Sequence, residues 1–178
     1  MERAQEAILT LLQKYLPYAL EARTGETQSG EFPRVAAEYP HVDLPLPNRY
    51  ELAYDDKHTL FGTGDFPVVV ILPGSTTIDV KLTTGYLMDM SHNIAIVVLL
   101  KHGDPSILQR QRSRYAEAIV EVLLTHQQDP VIGRERISYD EWEIRYDKVL
   151  WREDERSFLG SVFVQVRCRE RERYSAVG

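Results

Sequence analysis

Phe158-Leu159-Gly160-Ser161-Val162-Phe163-Val164-Gln165-Val166-Arg167-Cys168-Arg169-Glu170-Arg171-Glu172-Arg173 alternates along its length. Successive side chains of a strand point to opposite faces, so Val162, Val164, Val166 and Cys168 share one face. Gln165, Arg167, Arg169, Arg171 and Arg173 share the other. A helix would scatter both sets around its axis, so this stretch reads as one long strand. One apolar and one charged face is what an antiparallel sheet shows when one side packs on a core and the other meets water. Glu170 and Glu172 fall in phase with the apolar face, which predicts that the strand leaves the core near Cys168.

Moving outward, Ile137–Tyr146 alternates charged with aromatic or aliphatic residues and reads as a neighbouring strand, joined through the charged turn Arg152–Arg156. Upstream, Asp104-Pro105-Ser106 opens a helix: Asp104 can cap free amides, and Pro105 sits where its missing N–H costs nothing. Leu108, Tyr115, Ala118, Ile119, Val122 and Leu123 form its core stripe. Arg110 and Arg114 lie one turn apart on another face, Arg112 lies elsewhere, and Pro130 and Gly133 end the element. Asn93–Lys101 is apolar on both faces and reads as a central strand, preceded by a strand-like Tyr86–Met90. Phe66–Leu72 and Thr76–Leu82, separated by Pro73-Gly74-Ser75, read as a hairpin. The chain begins with a helix whose stripe is Ala4, Ala7, Ile8, Leu11, Leu12, Tyr15 and Leu16, with Pro17 set to kink or end it and Tyr18–Arg23 able to continue the turn. Gly25–Gly30 reads as a loop.

Residues 31–65 are the least regular. Pro33, Pro40, Pro45 and Pro47 exclude a continuous helix, and the alternation of Val42, Leu44 and Leu46 allows one extended edge segment. Such an arm either packs across the body through Tyr39, Tyr50 and Tyr54 or orders against a neighbouring subunit. The expected fold class is α+β: a mixed, mainly antiparallel β-sheet flanked by two main helices, in one domain spanning 1–178.

The 178 residues, 43% hydrophobic and 27% charged, suffice for one core and exclude a wholly disordered, collagen-like or coiled-coil chain. The longest apolar run, Ile94–Leu100, is far short of the roughly 20 residues a membrane helix needs. Met1–Thr10 carries Glu2 and Glu6 where a leader would be basic, so no signal peptide is expected. The net charge is −6, which argues against generic affinity for nucleic acid or anionic membrane. That charge is uneven: residues 1–133 hold 11 basic and 17 acidic side chains, and residues 134–178 hold 10 of each.

The motifs of dinucleotide binding, phosphate loops and serine hydrolases are missing. Gly62-Thr63-Gly64 lacks the third glycine, and His41, His58, His92, His102 and His126 show no ligand spacing. With Cys168 alone, no disulfide and no zinc site is expected, and the thiol reads as buried and inert. Asp79-Val80-Lys81, with Asp65 upstream across a hairpin, looks like the Asp…Asp-x-Lys core of restriction-type nucleases, in which two carboxylates hold Mg²⁺ beside a lysine. The plainer reading puts Asp79 and Lys81 on the solvated face of a hairpin. The row Arg167, Arg169, Arg171 and Arg173 repels itself unless neutralised. Either Glu141, Glu143 and Asp147 pair with it from the next strand, or it faces Glu51, Asp55 and Asp56 of a neighbouring subunit.

The order of elements carries a resemblance. An amphipathic helix holds Ile8-Leu9-Thr10-Leu11-Leu12 and Tyr15-Leu16-Pro17. Tyr39-Pro40 follows in a proline-rich arm, then hairpin strands, then Ile94-Ala95-Ile96-Val97-Val98. A helix with Arg114-Tyr115-Ala116-Glu117-Ala118 and a long closing strand complete the chain. This order resembles the tail terminator (tail-completion) proteins of long-tailed bacteriophages and, more loosely, other small head-to-tail neck proteins. The resemblance implies a non-enzymatic virion protein at the tail–neck junction, assembled in the host cytoplasm. It implies a homo-oligomeric ring, typically hexameric, that caps the tail tube and ends its polymerisation. The implied partners are other copies of the chain, the tail tube protein and a head-completion or connector protein. Genomic DNA would pass through the lumen without specific binding. No membrane, metal, cofactor or catalytic residue is implied.

Overall fold

In a computed structural model, residues 2–24, 41–53, 65–82, 86–127 and 138–174 are described. They build α1 (Glu2–Thr24), β1 (Arg49–Leu52), β2 (Val68–Leu82), β3 (Tyr86–His102), α2 (Pro105–Thr125), β4 (Ser138–Tyr146), β5 (Leu150–Arg152) and β6 (Ser157–Tyr174). The fold is α+β, as expected. The sheet runs β1-β2-β3-β6-β4, with β5 also on β6; β1 is parallel to β2 and every other pair is antiparallel.

Both helices pack on one face of this sheet. Ile8, Leu11, Leu12, Leu16 and Leu20 of α1 and the predicted stripe of α2 bury against Val69, Ile71, Ile94, Ile96, Val98, Val162, Val164, Val166 and Cys168. The opposite face keeps a smaller cluster of Ala53, Val68, Val70 and Val97. This double burial is why β3 is apolar on both sides. The cap of α2 is as read: Asp104 Oδ1 accepts from the amides of Ser106 at 2.7 Å and Ile107 at 3.3 Å. Those bonds hold the Asp104 carboxyl below the usual range.

Four expectations are corrected. Pro17 neither kinks α1 to a stop nor ends it, because Ala19, Leu20 and Ala22 beyond it are fully buried and their packing outweighs one missing backbone bond. Pro73-Gly74-Ser75 is not a turn. β2 runs straight through it for 15 residues beside a 17-residue β3, with a β-bulge between Pro73 and Thr76. A Cβ on Gly74 would lie 2.4 Å from the Asn93 carbonyl oxygen, so only glycine admits this approach. Consequently Tyr86–Met90 and Asn93–Lys101 belong to one strand. The edge strand is Arg49–Leu52 rather than the Val42-Leu44-Leu46 alternation: Val42 and Leu44 are buried in irregular backbone, and Leu46 is exposed. Finally, Glu170 is buried at 8% exposure rather than turned to water, although the apolar cluster on β6 ends at Cys168 as expected.

The described part of the proline-rich arm is fastened to its own chain. Gln111 Nε2 donates to the Asp43 carbonyl at 2.8 Å, and the buried Tyr115 hydroxyl donates to the Pro45 carbonyl. Tyr39, Asp55 and Asp56, together with Gly25–Gly30, Tyr54, Pro130 and Gly133, lie outside the described residues.

Candidate functional site

The two described side chains of the arginine row, Arg167 and Arg169, are neutralised from β4. Arg167 pairs with Glu141, and Arg169 Nε lies 2.8 Å from Asp140 Oδ2. Glu141 reaches Arg167 from a bulge in which its own φ is 51°, a left-handed conformation uncommon outside glycine. Glu143 turns instead to Arg145 at 3.8 Å, and Asp147 Oδ2 accepts the Ser161 hydroxyl at 2.8 Å. Of the acids expected to neutralise the row from β4, Glu141 alone does so, joined by Asp140. Arg171 stands opposite Asp89 and Arg173 opposite Leu87 in the register with β3; their side chains are outside the described set. Glu51 pairs with Arg49 on its own strand.

The nuclease constellation does not assemble. Without a turn at residues 73–75, Asp65 precedes β2 and Asp79 lies near its far end. At about 3.3 Å per residue, Val68 and Asp79 alone stand roughly 35 Å apart. Two carboxylates that far apart cannot share a metal ion. Asp65 lies 3.4 Å from Arg49 Nη1, and Asp79 faces Asp89 across the hairpin in the strand register. Lys81 lies further along β2, opposite Leu87. Among the described residues no group of three His, Cys, Asp or Glu side chains is arranged to hold a metal.

Several buried polar groups escape a motif search. His92, 1% exposed, has Nδ1 3.0 Å from Thr76 Oγ1 and Nε2 3.4 Å from Glu170 Oε2. The ring thus bridges a threonine hydroxyl on β2 and a carboxyl group on β6. Thr76, His92, Cys168 and Tyr139 form one row across four strands on the helix side. Burial first, then the Glu170 and Asp140 charges, push the Cys168 thiol well up, so it is no nucleophile. Burial does the same for Tyr139, with Cys168 and Glu170 adding to it. The phase of Glu170 with Val162–Cys168 was the sequence signal for this row: a carboxylate on an apolar stripe needs a buried partner.

Three arginines are buried as well. Arg112, on α2, sends Nε to the Ser161 carbonyl at 2.8 Å, Nη1 to Gln109 Oε1 at 2.9 Å and Nη2 to the Asp147 carbonyl at 2.5 Å. Arg23 bonds the Ala19 carbonyl at 3.1 Å and pairs with Glu121, while Arg114 Nη1 donates to the Arg23 carbonyl at 2.7 Å. These contacts clasp α1 to α2 and α2 to the sheet.

What remains outward is the edge made by β4 and β5. Both lie on the side of β6 away from β3, and they expose Ile144, Tyr146, Leu150 and Trp151. Exposed apolar residues in a row on an edge strand mark a surface suited to pairing with another chain. Among the described residues no helix is long and apolar enough to cross a membrane.

No family model and no curated protein matches this chain. It is similar to a chain of a solved structure described as the virion of a native gene transfer agent particle. The two are 16% identical, with 70% of this chain and 79% of that one covered and a TM-score of 0.40. At that distance the likeness carries no argument about function.

Proposed function

We propose that the protein is a virion structural protein of the tail terminator kind: a non-enzymatic subunit whose copies form a ring, hexameric by the family's habit. The ring caps the tail tube, ends its polymerisation and joins the tail to the head connector. The observation that supports this reading is the element order on which the resemblance rests, now seen as α1, arm, hairpin, α2 and a long closing strand around one sheet. Both helices take one face of that sheet, and among the described residues its outer strands β1 and β4 each pair with one strand, which suits neighbours of the same kind. The lumen would pass genomic DNA without gripping it, since affinity for duplex is mostly phosphate neutralisation and this chain is net acidic.

The test is assembly. Purified protein is mixed with isolated tail tubes and followed by native mass spectrometry and negative-stain microscopy. A ring of defined stoichiometry at one end of the tube is the expected result, and particles lacking the protein should carry tails of uncontrolled length. A protein that stays monomeric with tubes present, or tails of normal length in its absence, would sink the proposal.

A further inference from the structure

The ring reading leaves open how copies meet, and the two sheet edges supply a specific answer. Among the described residues β1 has one strand neighbour, β2, and β4 has one, β6. Following the pairings across the sheet, β1 runs with β2 and β6, whereas β4 runs against them. Copies related by rotation about an axis along the strands would therefore bring β4 of one beside β1 of the next in antiparallel orientation, the more stable ladder.

The backbone narrows the register. The Asp147 amide donates to the Ser161 carbonyl, so odd-numbered residues at this end of β4 turn their backbone groups toward β6. Ile144 and Tyr146 then turn theirs outward. On β1 the Ala53 amide donates to the Ile71 carbonyl at 3.0 Å, so Glu51 and Ala53 face β2, and Tyr50 and Leu52 turn outward. An antiparallel ladder pairs outward residues with outward residues, which allows Tyr146 opposite Tyr50 with Ile144 opposite Leu52. That register then sets Arg145 opposite Glu51 and Asp147 opposite Arg49.

The faces agree as well. Tyr50 and Leu52 lie on the helix side beside Val69 and Ile71, and Ile144 and Tyr146 lie on the helix side beside Val164 and Val162. Apolar meets apolar on that side. On the other, each of the two charge pairs is of opposite sign, and the Arg49 and Arg145 salt bridges within each strand become one alternating cluster. Shifting the register by two residues sets Arg145 against Arg49 and Glu143 against Glu51.

We infer that copies of this chain join by antiparallel addition of β4 to the β1 edge of the next copy, with Arg145 opposite Glu51, making one sheet continuous from subunit to subunit. This inference rests on the ring reading and adds its interface. The test is a cysteine pair, Arg145→Cys with Glu51→Cys, oxidised under native conditions; Cys168 is buried and does not compete. A ladder of covalent oligomers on non-reducing gels is expected, and little from the mis-registered pair Glu143→Cys with Glu51→Cys. A second variant, Ile144→Pro, removes an outward amide and should abolish assembly while circular dichroism stays that of the wild type. If the wild type forms rings yet the first pair gives no ladder and Ile144→Pro still assembles, the edge pairing is wrong and the ring reading survives. If the wild type never associates and no ladder forms, both fall.

Discussion

Arg112 offers the sharpest test of how this fold is held. Its guanidinium is 1% exposed and bridges α2 to two carbonyls, one on β6 and one in the β4–β5 connection. Replacing it by methionine keeps an unbranched apolar stem but removes the guanidinium and all three hydrogen bonds. Bonds to a charged group are worth roughly 1.5–3 kcal/mol each, and leaving a buried carbonyl unpaired costs about 1–3 kcal/mol. Against that, an apolar side chain no longer has to desolvate a charge, a relief of up to several kcal/mol. Ser161 O also keeps a 3.4 Å bond from the Asp147 amide, which softens one of the losses. The balance is a destabilisation of about 3 kcal/mol, a large part of the roughly 5–15 kcal/mol typical of a domain. The assay is urea unfolding followed by fluorescence of Trp142 and Trp151, which flank the clasped connection. Arg112→Lys should lose nearly as much, because an ammonium cannot serve three divergent acceptors. Arg110→Ala, on the exposed side of α2, should stay within about 0.5 kcal/mol. A loss below about 1 kcal/mol in Arg112→Met would refute the reasoning, since the clasp would then add nothing over an apolar side chain.

Two further outcomes follow from the same structure. Gly74→Val should destabilise the fold by about 1–3 kcal/mol and so lower the urea midpoint, because its Cβ would meet the Asn93 carbonyl; an unchanged midpoint would mean that the bulge does not require glycine. Alkaline pH should unfold the protein early. Burial pushes the Tyr50 hydroxyl up to about 12 and raises Tyr115 and Tyr139 further, so the folded state holds protons that the unfolded chain releases near pH 10. Stability is then intact below about pH 10 and falls above it, by about 1.4 kcal/mol per pH unit for each fully buried tyrosine. Urea midpoints at pH 9, 10 and 11 should show this slope, and Tyr139→Phe should flatten it; a pH-independent midpoint would contradict the buried hydroxyls.

Sequence alone determined what depends on neighbours along the chain. Alternation in Phe158–Arg173 and the three- and four-residue spacing of Leu108–Leu123 are local periodicities, so β6, α2 with its Asp104 cap, and the α+β class could be read directly. Cys168 as a buried thiol followed from its place on the Val162–Val166 stripe. Tertiary structure decided everything that depends on which strand lies beside which. A Pro-Gly-Ser triplet spells a turn in isolation, but beside Asn93 it is a bulge, because glycine serves both needs and only the partner strand selects between them. That one decision lengthened the hairpin and pulled Asp65 and Asp79 apart, so the nuclease pattern dissolved. Charge partners depended on the same thing. Arg167 and Arg169 found Glu141 and Asp140 through a bulge that no spacing rule encodes, while Arg49 and Arg145 came to lie on the outer strands β1 and β4. Periodicity sets which face a side chain takes; register, which is a contact between distant parts of the chain, sets whom it meets there.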